Sequence, residues 1–339
     1  MNKVIAIWVT TKCNLKCRYC YEGDHIHGES LSFENADKVI NFIKKFKEPN
    51  ERIIIDFHGG EPLINFDVVK YIIKECNKLF DRKEVDYCIT SNGVLFNDEI
   101  LDFLVNNFNY SLSVSLDGKK ETHDFNRSSR CGHGSFDKAY NGALAMLKRR
   151  PDVRARLTFD KSNINNLSEN IIFLIESGFK CIVPGVDWFC KDWVEEDFDK
   201  IYEELLIVKK YINKNNLDDV CVGGINEEIT EVGICAGGSS SVHISPTGDL
   251  YPCSYTVGNK KYLIGNIDTG INQKVNSSFR EMLASENKAC EGCNNYSSCY
   301  STRCKFANEL VTGDCNVPAA AICHMENIRV KLSKNNGRD

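Results

Sequence analysis

The sequence lacks a long hydrophobic run and a strong excess of either charge. The apolar run from Val4 to Val9 is too short to cross a membrane, and no signal-peptide cleavage pattern follows it. The formal net charge of −5 over 339 residues is mild, so the composition favours neither a nucleic-acid partner nor an anionic membrane. No repeat of solenoid period is present. We therefore predict a cytoplasmic globular protein that binds no nucleic acid and no membrane.

Cysteine, in contrast, is abundant, with 17 residues in the chain. Because the chain is large and has no export signal, these cysteines do not indicate a small disulfide-rich secreted domain. Clustered cysteines in a reducing compartment indicate metal binding, and most of them fall into an N-terminal and a C-terminal cluster. Most of the remainder are expected to be small buried hydrophobes. The scattered residues are Cys76, Cys88, Cys131, Cys181, Cys190 and Cys221.

The N-terminal cluster consists of Cys13, Cys17 and Cys20. Three thiolates can bind three irons of a cubic [4Fe–4S] cluster and leave the fourth iron without a protein ligand. A structural zinc site would need a fourth ligand, for which His25 or His27 could be proposed. The spacing therefore favours a cluster whose open iron binds a substrate or cofactor.

Strand-like and helix-like segments alternate from residue 4 to about residue 215. The predicted strands are β-branched runs at Val4–Thr10, Arg52–Phe57, Val85–Thr90, Tyr110–Leu116, Val153–Phe159 and Cys181–Val186. The predicted amphipathic helices are Phe33–Phe46, Val68–Phe80, Asp98–Asn107, Phe136–Arg149, Leu167–Ser177 and Glu195–Asn213. Ser32 and Ser168 are predicted N-caps, and Gly178 is a predicted C-cap. Six successive βα units predict an α/β fold, a partial (β/α)6 TIM-like barrel, since eight units need more chain.

Glycine-rich or polar turns follow the first four predicted strands. α/β folds bind ligands at the carboxyl ends of their strands, so these turns predict one composite site. The turns after the cysteine loop are His58-Gly59-Gly60-Glu61-Pro62, Ser91-Asn92-Gly93 and Ser115-Leu116-Asp117-Gly118.

These motifs resemble those of the radical S-adenosylmethionine (SAM) enzymes over nearly the whole chain. The matching features are Cys-x3-Cys-x2-Cys with an aromatic residue before the last cysteine, and Gly-Gly-Glu-Pro one βα unit later. The resemblance implies that the open iron binds the amino and carboxylate groups of SAM. The residues it implies for SAM are Gly59, Gly60 and Glu61 at the ammonium, Tyr19 at the adenine, Asn92 and Ser115 at the ribose or carboxylate, and Arg127 at the carboxylate.

The resemblance also implies radical chemistry. One-electron reduction of the cluster, by a donor such as flavodoxin or ferredoxin, cleaves SAM to methionine and a 5′-deoxyadenosyl radical, which abstracts hydrogen from the substrate. The sequence assigns no residue a catalytic role beyond this cofactor chemistry.

The C-terminal cluster holds enough cysteines for two four-ligand sites, although their spacing is shared by zinc and iron–sulfur proteins. It resembles the SPASM extension of radical SAM enzymes, which binds two auxiliary [4Fe–4S] clusters. Carried over by position, one cluster is held by Cys290, Cys293, Cys299 and Cys323, and the other by Cys235, Cys253 and Cys304. For the second cluster, Cys315 or Cys221 supplies the fourth ligand, or the iron stays open. The implied domains are a radical SAM barrel at 1–217 and a SPASM domain at 218–332, followed by a disordered tail at 333–339.

The resemblance leaves the substrate open between two classes. Sulfatase-maturing enzymes carry an aspartate base after the cysteine matched by Cys253, and this chain has Ser254, which is too weak a base. We therefore expect a maturase of ribosomally made peptides, acting on a peptide or protein substrate to form thioether or other cross-links. Many such enzymes begin with a module that binds the leader peptide, whereas here the first predicted strand starts at Val4. We therefore expect the leader peptide to be recognised by a separate leader-peptide-binding protein or by the barrel surface. The alternatives are an anaerobic sulfatase-maturing (formylglycine-generating) enzyme and a non-catalytic zinc-binding interaction protein.

Overall fold

The computed structural model describes residues 2–23, 28–225 and 227–334. The strands are β1 Lys3–Thr10, β2 Leu15–Cys17, β3 Ile53–Gly59, β4 Val85–Ser91, β5 Ser111–Ser115, β6 Arg127–Ser129, β7 Arg154–Phe159, β8 Cys181–Val186, β9 Cys221–Val222, β10 Ser241–Ile244, β11 Asp249–Tyr251, β12 Gly265–Asn266 and β13 Gly270–Ile271. The α-helices are α1 Phe33–Phe46, α2 Phe66–Leu79, α3 Asp98–Asn107, α4 Lys120–Asn126, α5 Phe136–Arg149, α6 Leu167–Glu176, α7 Glu195–Lys214, α8 Gln273–Ala284, α9 Lys305–Thr312 and α10 Ala320–Lys334. Short 3-10 helices lie at Pro62–Asn65, Ile164–Asn166, Ser254–Thr256, Lys260–Tyr262, Lys288–Cys290 and Tyr296–Ser298.

The predicted βα alternation is confirmed. The predicted strands correspond to β1, β3, β4, β5, β7 and β8, and the predicted helices to α1, α2, α3, α5, α6 and α7, with bounds that agree to about two residues. β10 and β11 pair antiparallel. Among the described residues, no helix is both long enough and apolar enough to cross a membrane.

Contacts divide the chain into two compact units. Unit 1 comprises residues 1–16, 20–113 and 236–284, and unit 2 comprises residues 17–19, 114–235 and 285–339. α10 extends to Lys334, so Ser333 and Lys334 of the predicted tail are helical. Residues 335–339 lie outside the described residues, as do His25 and His27, the candidate zinc ligands.

In unit 1, β1 pairs in parallel with a strand on each side. Ile5 of β1 lies opposite Ile55 of β3 and opposite Val242 of β10. β4 extends the parallel sheet beyond β3, and β11 to β13 extend it antiparallel beyond β10. Ile5 and Ile7 are fully buried, as expected for a parallel strand that is covered on both faces.

α1 of unit 1 begins where the sequence predicts. The Ser32 side chain accepts a hydrogen bond from the backbone N–H of Asn35 at 3.1 Å, which satisfies one of the unpaired donors of the first turn. Val39, Ile40 and Ile43 recur at helical spacing on its buried face. The predicted N-cap at Ser32 is therefore confirmed.

In unit 2, the parallel strands β7, β8 and β9 pair in sequence order, and α6 ends as predicted. Gly178 follows α6 with φ +101°, its N–H donates to Ile175, and the N–H of Phe179 donates to Leu174, which is a Schellman motif. The predicted N-cap at Ser168 is wrong. A 3-10 turn precedes α6, so Asn166 takes the cap position, and the N–H of Ser168 donates to Glu204 at 2.9 Å.

The scattered cysteines follow the expected burial only in part. Cys76 is fully buried, and its location in an apolar core raises the pKa of its thiol to about 12. Cys88, Cys181 and Cys190 are half-buried and Cys131 and Cys221 are exposed, so the expectation that most of these six are buried is wrong. Cys131 lies on a turn between β6 and α5, and Cys221 begins the two-residue strand β9.

Candidate active site

Glu61 is the central buried acid of unit 1. Its side chain is almost completely buried, and its carboxylate accepts hydrogen bonds from the backbone N–H of Leu63 at 3.1 Å, from Ser91 Oγ at 3.0 Å and from the backbone N–H of Asn92 at 2.8 Å. Hydrogen bonds to a charged acceptor are stronger than those between neutral groups. Glu61 therefore fixes the turn after β4, which carries Asn92, to the turn after β3.

The two glycines before Glu61 pack against the backbone of the loop that precedes Cys13. Gly60 N–H donates to the carbonyl of Thr10 at 3.0 Å, and Glu61 N–H donates to the carbonyl of Lys12 at 2.9 Å. A Cβ at Gly59 would lie 2.0 Å from the Thr10 carbonyl oxygen, and one at Gly60 would lie 2.5 Å from that of Lys12. These positions need glycine because two backbone segments meet there.

The sulfur of Cys13 accepts from two N–H donors, and its thiol donates to Asn14 Oδ1 at 3.9 Å. The N–H of Leu15 lies 3.4 Å from its Sγ and the side-chain amide of Asn92 lies 3.9 Å from it. Asn92 also donates to Asn14 Oδ1 at 2.7 Å. The thiolate is the form of cysteine that binds iron. Cys20, also in unit 1, is exposed.

A histidine and a tyrosine that the sequence analysis did not single out meet in unit 1. Tyr21 Oη and His58 Nε2 are 2.9 Å apart, and His58 Nδ1 is 3.8 Å from the carboxylate of Asp56. The rings of His58 and Trp8 lie 4.3 Å apart. Asp56 and His58 are two residues apart on β3 and share one face, so the spacing could have revealed the pair, although no pattern indicated Tyr21.

Asp117 is the corresponding buried acid of unit 2. It is nearly completely buried and lies two residues after the end of β5. Its carboxylate accepts hydrogen bonds from four donors: Tyr19 Oη at 2.5 Å, Asn126 Nδ2 at 3.0 Å, Arg127 Nε at 3.0 Å and the N–H of Thr158 at 3.1 Å. One carboxylate therefore orients two of the residues that the resemblance assigns to SAM.

Arg127 and Tyr19 lie against each other, with the guanidinium 5.2 Å from the centre of the tyrosine ring. Burial, reinforced by Asp117, raises the pKa of Tyr19, so its hydroxyl stays protonated. Burial opposes the charge of Arg127, but Asp117, Tyr19 and Cys17 together outweigh it and raise the pKa of the guanidinium. Arg127 also lies 3.9 Å from Cys17 Sγ, and Ser115 is buried at the end of β5.

His123 supports Asp117 from within unit 2. It is fully buried, and burial lowers the pKa of its imidazole to about 4. Its Nδ1 accepts a hydrogen bond from the N–H of Asp117 at 3.4 Å, and its Nε2 lies 3.0 Å from Ser135 Oγ, which donates to the carbonyl of Arg127. Neutral His123 therefore links the backbones of two site residues.

Four C-terminal cysteines of unit 2 lie in one neighbourhood. Burial raises the pKa of Cys323, and the nearby thiols of Cys299, Cys290 and Cys293 raise it further. Burial also raises the pKa of Cys290, and Cys299 and Cys293 add to this effect. Mutual repulsion of this kind requires that the thiols be close in space. These are the same four residues that the resemblance assigns to one auxiliary cluster.

The remaining C-terminal cysteines are distributed over both units. In unit 2, the backbone of Val232 bonds to Ser297 and Arg303, so the segment that ends at Cys235 runs beside the loop that ends at Cys304. Cys253 belongs to unit 1, directly before the 3-10 helix Ser254–Thr256. The two fourth-ligand candidates lie apart in unit 2. Cys315 is close enough to Lys305 for their charges to interact, whereas Cys221 lies opposite Cys181 at the amino end of β8.

Family models match two parts of the chain. Residues 7–159 match the radical SAM superfamily, and residues 235–300 match SPASM, an iron–sulfur cluster-binding domain. The chain is thus a radical SAM enzyme with a SPASM domain, whose cofactors are SAM and [4Fe–4S] clusters. The SPASM match ends before Cys304 and Cys323.

Two curated relatives match different shares of this chain. An uncharacterized protein, MJ0907 of Methanocaldococcus jannaschii, is 27% identical over 180 residues, and the match spans 53% of this chain and 61% of that protein. A cysteine-type anaerobic sulfatase-maturating enzyme of Clostridium novyi is 24% identical over 335 residues, covering 86% of this chain and 85% of the enzyme.

Solved structures share the fold. The structure of histidine-tagged anSMEcpe with bound AdoMet has a TM-score of 0.79 at 19% identity and covers 98% of this chain and 97% of its own. Streptococcus suis SuiB bound to its precursor peptide SuiA has a TM-score of 0.67 at 16% identity and covers 95% of this chain and 76% of its own. The predicted partial barrel with a cysteine-rich extension is confirmed.

The described residues fit these cofactors chemically. Thiolates are the usual ligands of iron–sulfur clusters, and two N–H donors contact Cys13 while Arg127 faces Cys17. In the described part of the chain, no three His, Cys, Asp or Glu side chains are grouped tightly enough to hold one metal ion. This finding is compatible with a cubane, because each of its thiolates binds a different iron and the ligands lie farther apart than those of a single ion.

Proposed function

We propose that this enzyme takes a hydrogen atom from a peptide or protein substrate and matures a ribosomally synthesised peptide by forming a thioether or another cross-link. When bound and reduced, SAM at its cluster supplies the 5′-deoxyadenosyl radical that takes this hydrogen. The electron donor is a small redox protein of the flavodoxin or ferredoxin type, and a separate leader-binding protein delivers the substrate. The barrel domain spans 1–217 and the auxiliary-cluster domain 218–332.

In this proposal the cysteines divide into three ligand sets. Cys13, Cys17 and Cys20 hold the cluster that binds SAM. One auxiliary cluster is held by Cys290, Cys293, Cys299 and Cys323, and the other by Cys235, Cys253 and Cys304, with an open iron or with Cys315 as the fourth ligand. The mutual effect of the four thiols on their pKa values supports the first of the two auxiliary sets.

In this proposal the chain's own residues would orient SAM. Asp117 holds Arg127 towards the carboxylate and Tyr19 towards the adenine, while Glu61 positions Asn92 and the backbone of Gly59 and Gly60. Because Asp117 and Glu61 are nearly completely buried and fully hydrogen-bonded, they need no reorganisation when SAM binds.

The observation that carries the peptide assignment is Ser254, directly after Cys253. Sulfatase-maturing enzymes resemble this chain but have an aspartate base there, and a serine hydroxyl is far too weakly acidic to serve instead. SuiB, which has the same fold and binds a precursor peptide, supports a peptide substrate.

Sulfatase maturation is the second candidate. It is favoured by the coverage of the Clostridium novyi enzyme, which extends over 86% of this chain, and by the TM-score of 0.79 with anSMEcpe. The two candidates differ in the product they give from a cysteine residue. Cross-linking removes two hydrogen atoms and keeps the sulfur, whereas formylglycine formation removes the sulfur.

Mass spectrometry of reaction products separates the two candidates. The reconstituted enzyme is incubated anaerobically with SAM, a reductant and either a cysteine-rich peptide encoded beside its gene or a sulfatase-derived cysteine peptide. We expect loss of two hydrogens with retained sulfur in the first peptide and no change in the second. Loss of sulfur from the sulfatase peptide alone would instead assign sulfatase maturation.

A further inference from the structure

Lys305 is a buried lysine in unit 2. It begins α9, directly after Cys304, and it is only 1% exposed. Lysine is rarely buried to this extent without a partner of opposite charge. The position therefore needs a specific explanation.

The ammonium of Lys305 donates to neutral oxygens. Its Nζ contacts Asn287 Oδ1, lies 2.5 Å from Asn316 Oδ1 and lies 3.3 Å from Ser285 Oγ. Ser285 Oγ donates its own hydrogen to Asn316 Oδ1 at 3.0 Å, so it accepts from the lysine. Three acceptors match the three donors of a protonated lysine and leave no position for a neutral amine's lone pair.

No carboxylate of the described chain forms an ion pair with Lys305. The titratable groups that act on it are the thiols of Cys315 and Cys290 and the more weakly acting Asp314, with Arg303 as a second cation. Cys315, the thiol that acts more strongly, is not one of the four cysteines of the first auxiliary set, whereas Cys290 is one of them.

Lys305 and Cys290 are connected through one short turn. Asn287, which accepts from Lys305, also accepts at its carbonyl from the N–H of Cys290 at 2.9 Å. The Asn287 side-chain amide donates to the carbonyl of Thr302 at 3.0 Å, which fixes this turn to the loop before α9. The lysine is thus held in a defined position relative to a cluster ligand.

We propose that Lys305 is the counter-charge of the iron–sulfur cluster held by Cys290, Cys293, Cys299 and Cys323, and that it raises the reduction potential of that cluster. A cubane with four thiolates is negatively charged, and reduction adds one further electron. A fixed cation in a buried site stabilises the reduced form more than the oxidised form, because the attraction grows with the negative charge. The proposal rests on the ligand set above and does not depend on the substrate.

An anaerobic redox titration followed by electron paramagnetic resonance tests this role. Lys305→Gln removes the charge but keeps donors for the amide oxygens, and Lys305→Arg keeps the charge. Lys288→Gln is the matched control, since Lys288 carries the same charge two residues from Cys290 but is exposed. A Cys299→Ala variant identifies which signal belongs to this cluster. No substrate or SAM turnover is needed.

We expect a lower reduction potential in Lys305→Gln, a potential near that of the unchanged protein in Lys305→Arg, and no shift in Lys288→Gln. An unchanged potential in Lys305→Gln with full iron content would overturn the proposal. If Lys305→Gln loses the cluster, Lys305→Arg decides: a cluster retained at an unchanged potential supports the role of the charge, and loss of the cluster in both variants rejects it. If the Cys299→Ala variant keeps the resonance signal of every cluster, the proposed ligand set is wrong.

Discussion

Two buried charges of unit 2 are stabilised in opposite ways. Asp117 lies opposite a buried arginine and accepts four hydrogen bonds, whereas Lys305 donates to neutral oxygens only, within the described residues. A buried charge that loses its partner becomes strongly unfavourable. Arg127 therefore has its counter-charge within the chain, whereas the charge of Lys305 is matched when a cluster is bound.

Replacing Asp117 by asparagine should destabilise the protein strongly. The substitution leaves the guanidinium of Arg127 buried without its counter-charge, which costs about 3–5 kcal/mol. Denaturant titration of the anaerobically reconstituted protein measures the change in the free energy of unfolding.

The matched control is Asp152→Asn. Asp152 also pairs with an arginine, Arg150, at 2.9 Å, but its side chain is 71% exposed, so the loss should be about 1 kcal/mol or less. Equal effects at the two positions would show that burial does not determine the strength of the Asp117 pair.

Stability should depend on pH through His123. The pKa of its imidazole is lowered to about 4 in the folded protein, from an ordinary value of 6.5. Below the ordinary value the unfolded chain takes up a proton that the folded protein does not, so stability falls as the pH falls towards 4. Between about pH 7.5 and pH 5.5 this group should account for a loss of about 1 kcal/mol.

The measurement compares the free energies of unfolding of the protein and a His123→Gln variant over that pH range. His243, whose pKa burial lowers to about 3, acts with the same sign in both proteins, so the difference between them isolates His123. Parallel pH profiles would contradict a neutral buried His123.

At the scale of elements, the backbone contact between the loop after β3 and the loop before Cys13 organises one side of the site. Gly60→Ala would place a Cβ 2.5 Å from the Lys12 carbonyl and should cost about 1–3 kcal/mol, because backbone must move. We expect a lower iron content at the N-terminal cluster and a corresponding loss of 5′-deoxyadenosine formation, with the circular dichroism spectrum retained.

Gly185→Ala is the control for this variant. The nearest atom to a Cβ at Gly185 is the Leu157 carbonyl oxygen at 3.8 Å, which is an ordinary contact. This substitution should leave iron content and SAM cleavage unchanged. If both variants lost the same amount of iron, the close approach at Gly60 would not be the cause.

The regular elements could be predicted from the sequence because apolar periodicity follows burial closely. β8 and α5 begin and end at the predicted residues. The cap at Ser168 could not be placed, since the preceding 3-10 turn depends on contacts beyond the local sequence. The pairing of β10 with β1 was likewise missed, because its partner lies more than 200 residues away along the chain.

The types of residue at the site could be predicted from the sequence, but the groups that each residue contacts could not. The sequence indicated Glu61 and Arg127, but an acid that binds a ligand and an acid that fixes a turn have the same local sequence. Lys305 has no local signal that distinguishes it from a surface lysine. Its burial results from packing between segments that are distant in sequence.

At the scale of the whole molecule, three clusters imply roughly twelve irons per chain, with matching sulfide. Cys17→Ala should lose roughly four irons and abolish release of 5′-deoxyadenosine, while Cys299→Ala should lose a similar amount of iron. Metal and sulfide analysis after anaerobic purification measures this directly. Bound zinc without sulfide would contradict the iron–sulfur assignment.

The position of β10 beside β1 has a consequence for how the protein is made. Residues 4–7 leave the ribosome more than 200 residues ahead of their partners on one side, 241–244. Until then that edge of β1 exposes unpaired N–H and carbonyl groups beside a strongly apolar sequence, which invites pairing with other chains. Nascent chains that stop before residue 241 should therefore depend on a chaperone to remain monomeric, and completion of the sheet should be a late step of folding.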